Sequence, residues 1–466
     1  MIASMVHAPL ASQAAAIRAG ALSSEALVNA QLERIARHGE KLHAYTEVYA
    51  DDARAAAQGL DQMARAGVFV GPLHGVTVAV KDLFEVQGKA ISAGSRARPA
   101  RMSLHTATVV DRLRAAGAIV IGKTHTVEFA FGGWGTNAVM GTPWNPWDQE
   151  IHRTPGGSSS GSAVALAAGL CSASVGTDTG GSVRIPAGLC GLVGLKTTRG
   201  LISRHGLIEL CPTHDTVGPL TRTVRDSALM LDVLAGADSN DAVSLQAPVR
   251  SVQPQLERGV EGMRVWTLPE AERHDVDPDV LAAYDAAVQV LVSLGMQRVE
   301  RALPQSCAES MRVAGSLMSA EGYASLGTLF EQEGLEFDPH VRRRILLGRD
   351  IDAAQYIHLL KLREQAKADM LQAMDGVEVC AFPTNAISAI PVSAVDELAT
   401  PLSRFGRFVN LLDLCSLAVP AGFTREGMPV SLQIIGRPMD EPMALRVGHA
   451  FEQATDWHRA VPPGWD

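Results

Sequence analysis

The stretch GGSSSGSAVALAAGLCSASVGTDTGGSVRIPAGLCGLVGLK, from Gly156 to Lys196, carries the pattern around which the fold is predicted. It holds two Gly-Gly-Ser turns, whose serines Ser158 and Ser182 lie 24 residues apart, with an alanine-rich helical segment and a β-branched run between them. Glycines at this density allow positive φ values and a close approach of the chain to another group. Two hydroxyls placed after such turns indicate paired nucleophile chemistry, with a flexible Gly/Ser loop or a phosphate cradle as the alternatives.

Upstream of this stretch, Val76 to Asp82 (VTVAVKD) is too apolar and β-branched for a solvated edge and predicts a central strand. Lys81 lies near the end of that strand, although lysine is almost never fully buried without a partner. One interpretation is a lysine that extends its amine to solvent. The other is a desolvated amine whose lowered pKa lets it act as a base. The sequence alone favours neither interpretation over the other.

A strand–helix–strand order follows this lysine. Thr106 to Gly117 predicts an amphipathic helix and Ala118 to Lys123 a strand, so the sheet is expected to be partly parallel. The next loop, Phe129 to Asn137 (FAFGGWGTN), is aromatic and rich in glycine. It is interpreted either as the wall of a pocket or as a surface turn around one buried tryptophan.

Length and composition bound the class of protein. The 466 residues are 47% hydrophobic and 20% charged, which is typical of a soluble globular chain with one very large domain or two lobes. The net charge of −9 argues against nucleic acid as a partner. The run Arg342 to Arg344 is interpreted as a solvated helix face. The six cysteines lack metal-ligand spacing and predict reduced, buried thiols.

Neither a secretory signal nor a membrane span is predicted, so a cytoplasmic location is expected. Residues 1–66 predict an N-terminal helical clasp and residues 67–260 the core. Residues 261–466 predict a second αβ region, in which Asp277 begins a helix, with a helical cap at about 306–375. Strands at 377–382, 417–420 and 430–435 are expected to rejoin the core sheet, giving one large domain overall, and residues 238–255 predict a linker or exposed loop.

Three residues compete for one chemical role: Lys81, Ser158 and Ser182. No histidine lies at a spacing that indicates a serine–histidine pair, and the pattern G-x-S-x-G fails after Ser182. A serine hydroxyl needs a base to take its proton, and a neutral lysine can do this with a second serine as relay. The segment Thr179 to Ser182 would present consecutive N–H groups to an oxyanion, each worth about 3 to 4 kcal/mol.

On PGGSSSGSA, GTDTGGSVRIPA, CGLVGLK and the lysine in GVTVAVKD, the chain resembles the amidase signature family of serine hydrolases. The match spans most of residues 70–235 and recurs more weakly in AVPAGF and MPVSLQIIG. The resemblance implies an α/β fold with a large mixed, partly parallel central sheet covered by helices on both faces. It also implies a mostly helical segment over the active-site entrance.

The resemblance also implies roles for individual residues. Ser182 would be the nucleophile, Ser158 the bridging serine after a cis peptide bond, and Lys81 the base. The remaining expected site residues form three groups: the oxyanion hole (Thr179, Gly180, Gly181), supporting residues (Ser159, Asp178, Arg184) and a pocket wall (Gly132, Gly133, Trp134). Asp178 and Arg184 would pair to hold the nucleophile's turn, an incidental ion pair being the alternative. No metal or organic cofactor is expected.

The resemblance leaves the substrate open. The expected reaction is hydrolysis of the C–N bond of a small aliphatic, aryl, ureido or carbamate-type amide through an acyl-enzyme on Ser182. One alternative is the glutaminase component of a tRNA-dependent amidotransferase, which needs partner chains. The bulky loop at 129–136 and the segment FGRFVNLLDL (405–414) favour a stand-alone hydrolase. A non-catalytic binding relative is the third alternative, and a homodimer is left open.

Overall fold

The computed structural model describes residues 5–97, 101–248 and 251–465. Residues 1–4, 98–100, 249–250 and 466 belong to segments expected above and lie outside the described residues. The helices are α1 (Leu10–Arg18), α2 (Ser24–Leu42), α3 (Ala50–Arg65), α4 (Thr108–Ala115), α5 (Ser160–Ala167), α6 (Arg184–Leu189), α7 (Val224–Leu234), α8 (Pro278–Ser293), α9 (Cys307–Phe330), α10 (Pro339–Leu346), α11 (Ala353–Ala373), α12 (Arg407–Leu411) and α13 (Glu441–Gln453).

The strands are β1 (Tyr45–Val48), β2 (Thr77–Lys81), β3 (Ala90–Ile91), β4 (Arg101–Met102), β5 (Ile119–Thr124), β6 (Ala173–Asp178), β7 (Val193–Lys196), β8 (Thr216–Thr221), β9 (Arg264–Thr267), β10 (Gln297–Val299), β11 (Val379–Pro383), β12 (Cys415–Phe423) and β13 (Pro429–Gly436). Eleven of them form one sheet in the order β1-β5-β2-β6-β8-β7-β12-β13-β11-β9-β10, and β3 pairs with β4 separately. Strand β2 is parallel to β5 and to β6, whereas β6, β8, β7, β12, β13 and β11 run antiparallel in succession. The predicted mixed sheet is confirmed.

Helices cover both faces of the sheet because alternate residues of each strand point to opposite sides. Val78 and Val80 of β2 belong to the largest hydrophobic cluster, whereas Ala79 belongs to a second cluster that contains α5. By the same alternation, Lys81 points to the side on which α5 lies. The alternation of a five-residue strand therefore directs the lysine toward the first Gly-Gly-Ser turn.

Small residues let α5 lie close to the sheet. A Cβ on Gly161 would lie 2.3 Å from the carbonyl oxygen of Ala44, so a larger residue would push the helix outward. Gly176 of β6 gives the same clearance on the strand side, because a Cβ there would lie 2.4 Å from Ser159 Oγ. The alanines and glycines of the signature stretch thus allow its start to approach β2 and β6 closely.

One region of the chain differs in detail from expectation, and another agrees with it. The first 66 residues are not purely helical, because Tyr45–Val48 forms β1, which pairs antiparallel with β5 at the edge of the sheet. Residues 306–375 are helical as predicted, in α9, α10 and α11. Ser306, Asp338 and Asp352 accept backbone N–H groups and so begin these three helices. Within the described ranges, no helix combines the length and the apolar character that crossing a bilayer requires.

Candidate active site

The two Gly-Gly-Ser turns meet at the ends of β2 and β6. The backbone N–H of Ser159 donates to the carbonyl oxygen of Ser182 at 3.2 Å and joins the turns directly. The peptide bond between Gly157 and Ser158 is cis, as the resemblance implied. The N–H of Val127 donates to the carbonyl oxygen of Ser158 at 3.2 Å and ties the first turn to the loop that follows β5.

Lys81 lies fully buried between these turns. Its Nζ donates to Ser158 Oγ at 2.7 Å and to Thr177 Oγ1 at 2.8 Å. Thr177 lies on β6, the strand parallel to the one that carries Lys81, so this second contact joins two neighbouring strands of the sheet. Sequence reasoning had not singled out Thr177, although it lies inside the GTDTGGS motif. The lysine is therefore not one that reaches solvent from a strand end.

Burial lowers the pKa of Lys81 from 10.5 to about 7, although the nearby carboxylates of Asp215 and Asp178 act in the opposite direction. The charged amine loses more hydration than these carboxylates restore. A substantial fraction of Lys81 is therefore neutral near pH 7 and able to accept a proton. Asp215 is itself buried, and burial raises its pKa to about 6.

Asp178 and Arg184 form a fully buried pair beside Ser182. Arg184 Nε donates to Asp178 Oδ2 and its Nη2 to Oδ1, each at 2.9 Å. Burial alone would raise the pKa of Asp178, but the charge and hydrogen bonds of Arg184 outweigh it and hold the pKa well below its ordinary value. Asp178 also accepts the N–H of Val183 at 3.1 Å. The pair is thus built into the turn that presents Ser182 and is not incidental.

Two residues distant in sequence complete this network and were missed by sequence reasoning. Asn410 of α12 donates to the carbonyl oxygen of Asp178 at 2.9 Å and accepts from Arg184 Nη2 at 2.6 Å. Gln433 of β13 accepts from Arg184 Nη1 at 2.6 Å. Both lie in segments compared with the family above, FVNLL and SLQII, but a single sequence does not show which polar residue of a segment turns inward.

The expected oxyanion donors are not equivalent. The N–H of Gly181 donates to Asp178 Oδ1 at 2.7 Å, so it is already engaged. Within the described chain, the N–H groups of Gly180 and Ser182 have no acceptor, and both residues line a cavity. Thr179 donates its hydroxyl to Asp215 Oδ1 at 2.5 Å and does not line that cavity. Of the four N–H groups, those of Gly180 and Ser182 are best placed to face a ligand.

The inner cavity is small and contains the nucleophile candidate. Ser182 is 6% exposed, and its hydroxyl makes no hydrogen bond to another described residue. Gly132 and Gly133 line the same cavity. Trp134 does not line it: the indole is buried against Ile185 and its neighbours, and its Nε1 donates to the carbonyl oxygen of Ala399 at 3.1 Å. The indole N–H of Trp134 thus bonds within the protein, and the ring packs behind the residues that line the cavity.

The interpretation of Arg342 to Arg344 as a solvated helix face is wrong for Arg344. Arg343 is exposed, but Arg344 turns inward and lines the cavity beside Ser182. Its Nη1 donates to the carbonyl oxygen of Phe131 at 2.7 Å and its Nη2 to a carboxylate oxygen of Glu397 at 2.7 Å. The inner cavity shares lining residues, among them Phe131 and Arg344, with a neighbouring outer cavity.

No group of three or more His, Cys, Asp or Glu side chains in the described ranges is arranged to hold a metal ion. The chemistry available at this site is that of a serine hydroxyl, a second serine, a buried amine and backbone N–H groups. That set is suited to nucleophilic attack with proton relay.

The chain is similar to known proteins along most of its length. The family model for Amidase matches residues 26–445. A relative from Halorhodospira halophila (strain DSM 244 / SL1), named as the A component of glutamyl-tRNA(Gln) amidotransferase, is 38% identical over 478 aligned positions, which cover 97% of this chain and 98% of that protein.

Solved structures extend the likeness to the whole fold. The native peptide amidase of Stenotrophomonas maltophilia has a TM-score of 0.84 and 30% identity, with 98% of each chain covered. A second solved chain comes from the inhibitor-bound form of a vestigial protein complex that reveals the evolutionary origins of an s-triazine catabolic enzyme. It has a TM-score of 0.88 and 29% identity, and the match covers 94% of this chain and 96% of that one. The match over most of the chain, in sequence and in fold, shows that this protein belongs to the Amidase family, the amidase signature enzymes.

Proposed function

We propose that this protein is an amidohydrolase that cleaves the C–N bond of a small amide through an acyl-enzyme on Ser182. The observation that carries the proposal is the buried contact of 2.7 Å between Lys81 Nζ and Ser158 Oγ, in a structure that ties the Ser158 turn to Ser182. A lysine with a pKa of about 7 and an accessible, unengaged serine hydroxyl supply the base and the nucleophile that acyl transfer needs.

In the proposed reaction, Ser182 Oγ attacks the amide carbonyl while its proton passes to Ser158 and the proton of Ser158 passes to neutral Lys81. The N–H groups of Gly180 and Ser182 stabilise the oxyanion, with Thr179 and Gly181 shaping the turn. The proton returns through Ser158 to the leaving amine, which departs. Water then hydrolyses the ester on Ser182 by the same relay. Ser159, Asp178 and Arg184 hold the geometry.

Amine or ammonia release from aliphatic, aryl, ureido and carbamate compounds tests this reaction. Wild-type protein is expected to hydrolyse at least one class. Lys81→Ala, Ser158→Ala and Ser182→Ala are each expected to lower kcat by a factor on the order of 10³ or more, with the fold intact by circular dichroism. Full activity in Ser182→Ala would remove the proposal.

The glutaminase component of a tRNA-dependent amidotransferase is the second candidate. It is favoured by the 38% identity to a protein named as such an amidotransferase component over 97% of this chain, which supports it more directly than any small-amide substrate is supported. Against it, the described residues that line the inner cavity include no carboxylate to bind the α-ammonium of glutamine. In the outer cavity Glu397 is already paired with Arg344. This candidate requires protein partners, which the first does not.

Glutamine separates the two candidates. A glutaminase component is expected to release ammonia from glutamine and to gain activity when the other amidotransferase chains are added. A stand-alone amidohydrolase is expected to act on its own amide substrate with no response to those chains. For a non-catalytic relative, the third alternative, a fluorophosphonate serine probe would fail to label Ser182. We place the reaction in the cytoplasm, since all six cysteines are buried free thiols.

A further inference from the structure

Arg407 is the first residue of α12 and lines both the inner cavity beside Ser182 and the neighbouring outer cavity. Among the described residues, no carboxylate and no hydrogen-bond acceptor contacts its guanidinium. Burial lowers the pKa of Arg407 to about 10, and the positive charge of Arg344 adds to the effect, so Arg407 remains charged at neutral pH. A partly buried cation without a counter-ion is costly, which makes it a functional candidate.

The network of the nucleophile turn fixes the position of Arg407. Asn410, three residues along the same helix, donates to the carbonyl oxygen of Asp178, and Arg184 Nη2 donates to the carbonyl oxygen of Gly406 at 3.2 Å. The aliphatic stem of Arg407 lies over Gly180, where an added Cβ would be 3.1 Å from Arg407 Cγ. The turn that presents Ser182 and the helix that presents Arg407 are therefore joined by hydrogen bonds and by packing.

The charges around the inner cavity are of one sign. Its ionisable lining residues are Arg344 and Arg407. The charge of Arg344 is compensated by Glu397, 2.7 Å away, and Glu397 also accepts the hydroxyl of Thr136. The outer cavity adds Arg312 and Arg343, with Glu397 as the carboxylate in its lining, while the whole chain carries a net charge of −9. Within the described chain, Arg407 is thus the uncompensated cation at the nucleophile.

We propose that Arg407 is a specificity-determining residue that binds a carboxylate of the substrate, so that the preferred substrates are amides whose acyl group carries a carboxylate and no ammonium group. This inference rests on the proposed amidohydrolase function and narrows its substrate class. A guanidinium pairs with a carboxylate through two parallel hydrogen bonds, which fixes orientation as well as charge. The described residues that line the inner cavity include no carboxylate that could bind an ammonium group. Zwitterionic amides such as glutamine are therefore expected to be poorer substrates.

Three amides of matched length test the proposal on the full chain. Glutaramate carries a carboxylate and an amide, glutamine adds only an α-ammonium group, and pentanamide lacks both charges. Wild-type protein is expected to show the highest kcat/KM for glutaramate. Arg407→Met keeps the unbranched stem and removes the charge, and it is expected to lower the ratio of kcat/KM for glutaramate over pentanamide roughly 30- to 1,000-fold.

Arg407→Lys is expected to restore part of that ratio, because it returns the charge without the paired donors. Arg349→Met, at an exposed arginine outside both cavities, is the matched control, and its ratio is expected to stay within about threefold of wild type. A purely structural role for Arg407 would lower both rates together and leave the ratio unchanged.

The outcomes are distinguishable. If wild-type protein hydrolyses pentanamide as well as glutaramate, or prefers glutamine, this inference is overturned while the amidohydrolase proposal stands. If no amide is hydrolysed and Ser182 forms no covalent adduct, the proposed function itself fails. If the ratio falls in Arg407→Met and holds in Arg349→Met, the carboxylate subsite is supported.

Discussion

Arg184 and Asp178 make two parallel hydrogen bonds of 2.9 Å in a fully buried site, six residues apart along the chain and on either side of Ser182. Neither side chain reaches solvent, so each charge depends on the other and on Asn410 and Gln433. Removing one partner of a buried pair leaves an uncompensated charge, which costs more than the pair itself contributes.

Arg184→Met is therefore expected to lower the free energy of unfolding by about 3 to 5 kcal/mol, because it leaves the Asp178 carboxylate buried with fewer partners. Chemical denaturation followed by circular dichroism measures this loss. The matched control is Arg54→Met, which removes an exposed pair with Asp51 and should change stability by less than about 0.5 kcal/mol. Equal losses in the two variants would contradict the structural role assigned to Arg184.

The pH dependence of the reaction should report on Lys81. Because its pKa is lowered to about 7, the neutral base predominates above pH 7 and is lost below it. We expect kcat/KM to reach a plateau above pH 7 and to fall about tenfold per pH unit well below it. Steady-state rates between about pH 5 and 9 measure the profile.

His340 lines the outer cavity and carries a second ionisable group near the site. His340→Gln is therefore the control. The fall of its kcat/KM at low pH, the acid limb of the profile, is expected to match that of wild type. A profile that is flat down to about pH 5.5, or a limb that disappears in His340→Gln, would remove Lys81 from the role of base.

Thr177 offers a finer test of the same lysine. Its hydroxyl accepts a hydrogen bond of 2.8 Å from Lys81 Nζ, which favours the charged amine. Thr177→Val keeps the shape of the side chain and removes this acceptor, so the acid limb should move to lower pH. We also expect kcat/KM at about pH 8 to fall about tenfold, because the orientation of Lys81 is lost.

Thr221→Val is the control for a lost buried hydroxyl, because Thr221 bonds to Ser227 away from Lys81. The acid limb of its pH profile and its kcat/KM at about pH 8 are both expected to remain close to those of wild type. An unshifted limb in Thr177→Val would show that this contact does not govern the protonation of Lys81.

Sequence patterns predicted the parts of this protein whose signals are local. The β-branched run that contains Lys81 became a central strand, and Asp277 begins a helix where expected. Strand β1 was not predicted. It has only four residues, Tyr45 to Val48, and all four are partly buried, without the alternation of buried and exposed side chains that marks a half-buried strand. It exists through pairing with β5, a tertiary contact.

The candidate site shows the same division. The residues within the signature motifs, Lys81, Ser158 and Ser182, could be named from sequence. Arg344 could not, because only the packing of α10 against the loop at Phe131 decides which of three consecutive arginines turns inward. Arg407 lies 225 residues after Ser182, and no local pattern connects them. Its lack of a partner among the described residues becomes visible only in three dimensions.

The central claim is that Ser182 carries the acyl group, and mass spectrometry of a trapped adduct tests it most directly. Wild-type protein would be treated with a slowly hydrolysed carbamate, quenched, and mapped by peptide mass. We predict one adduct on Ser182, slower labelling in Lys81→Ala, and none in Ser182→Ala. An adduct on Ser158 or any other residue, or undiminished labelling in Ser182→Ala, would contradict the account.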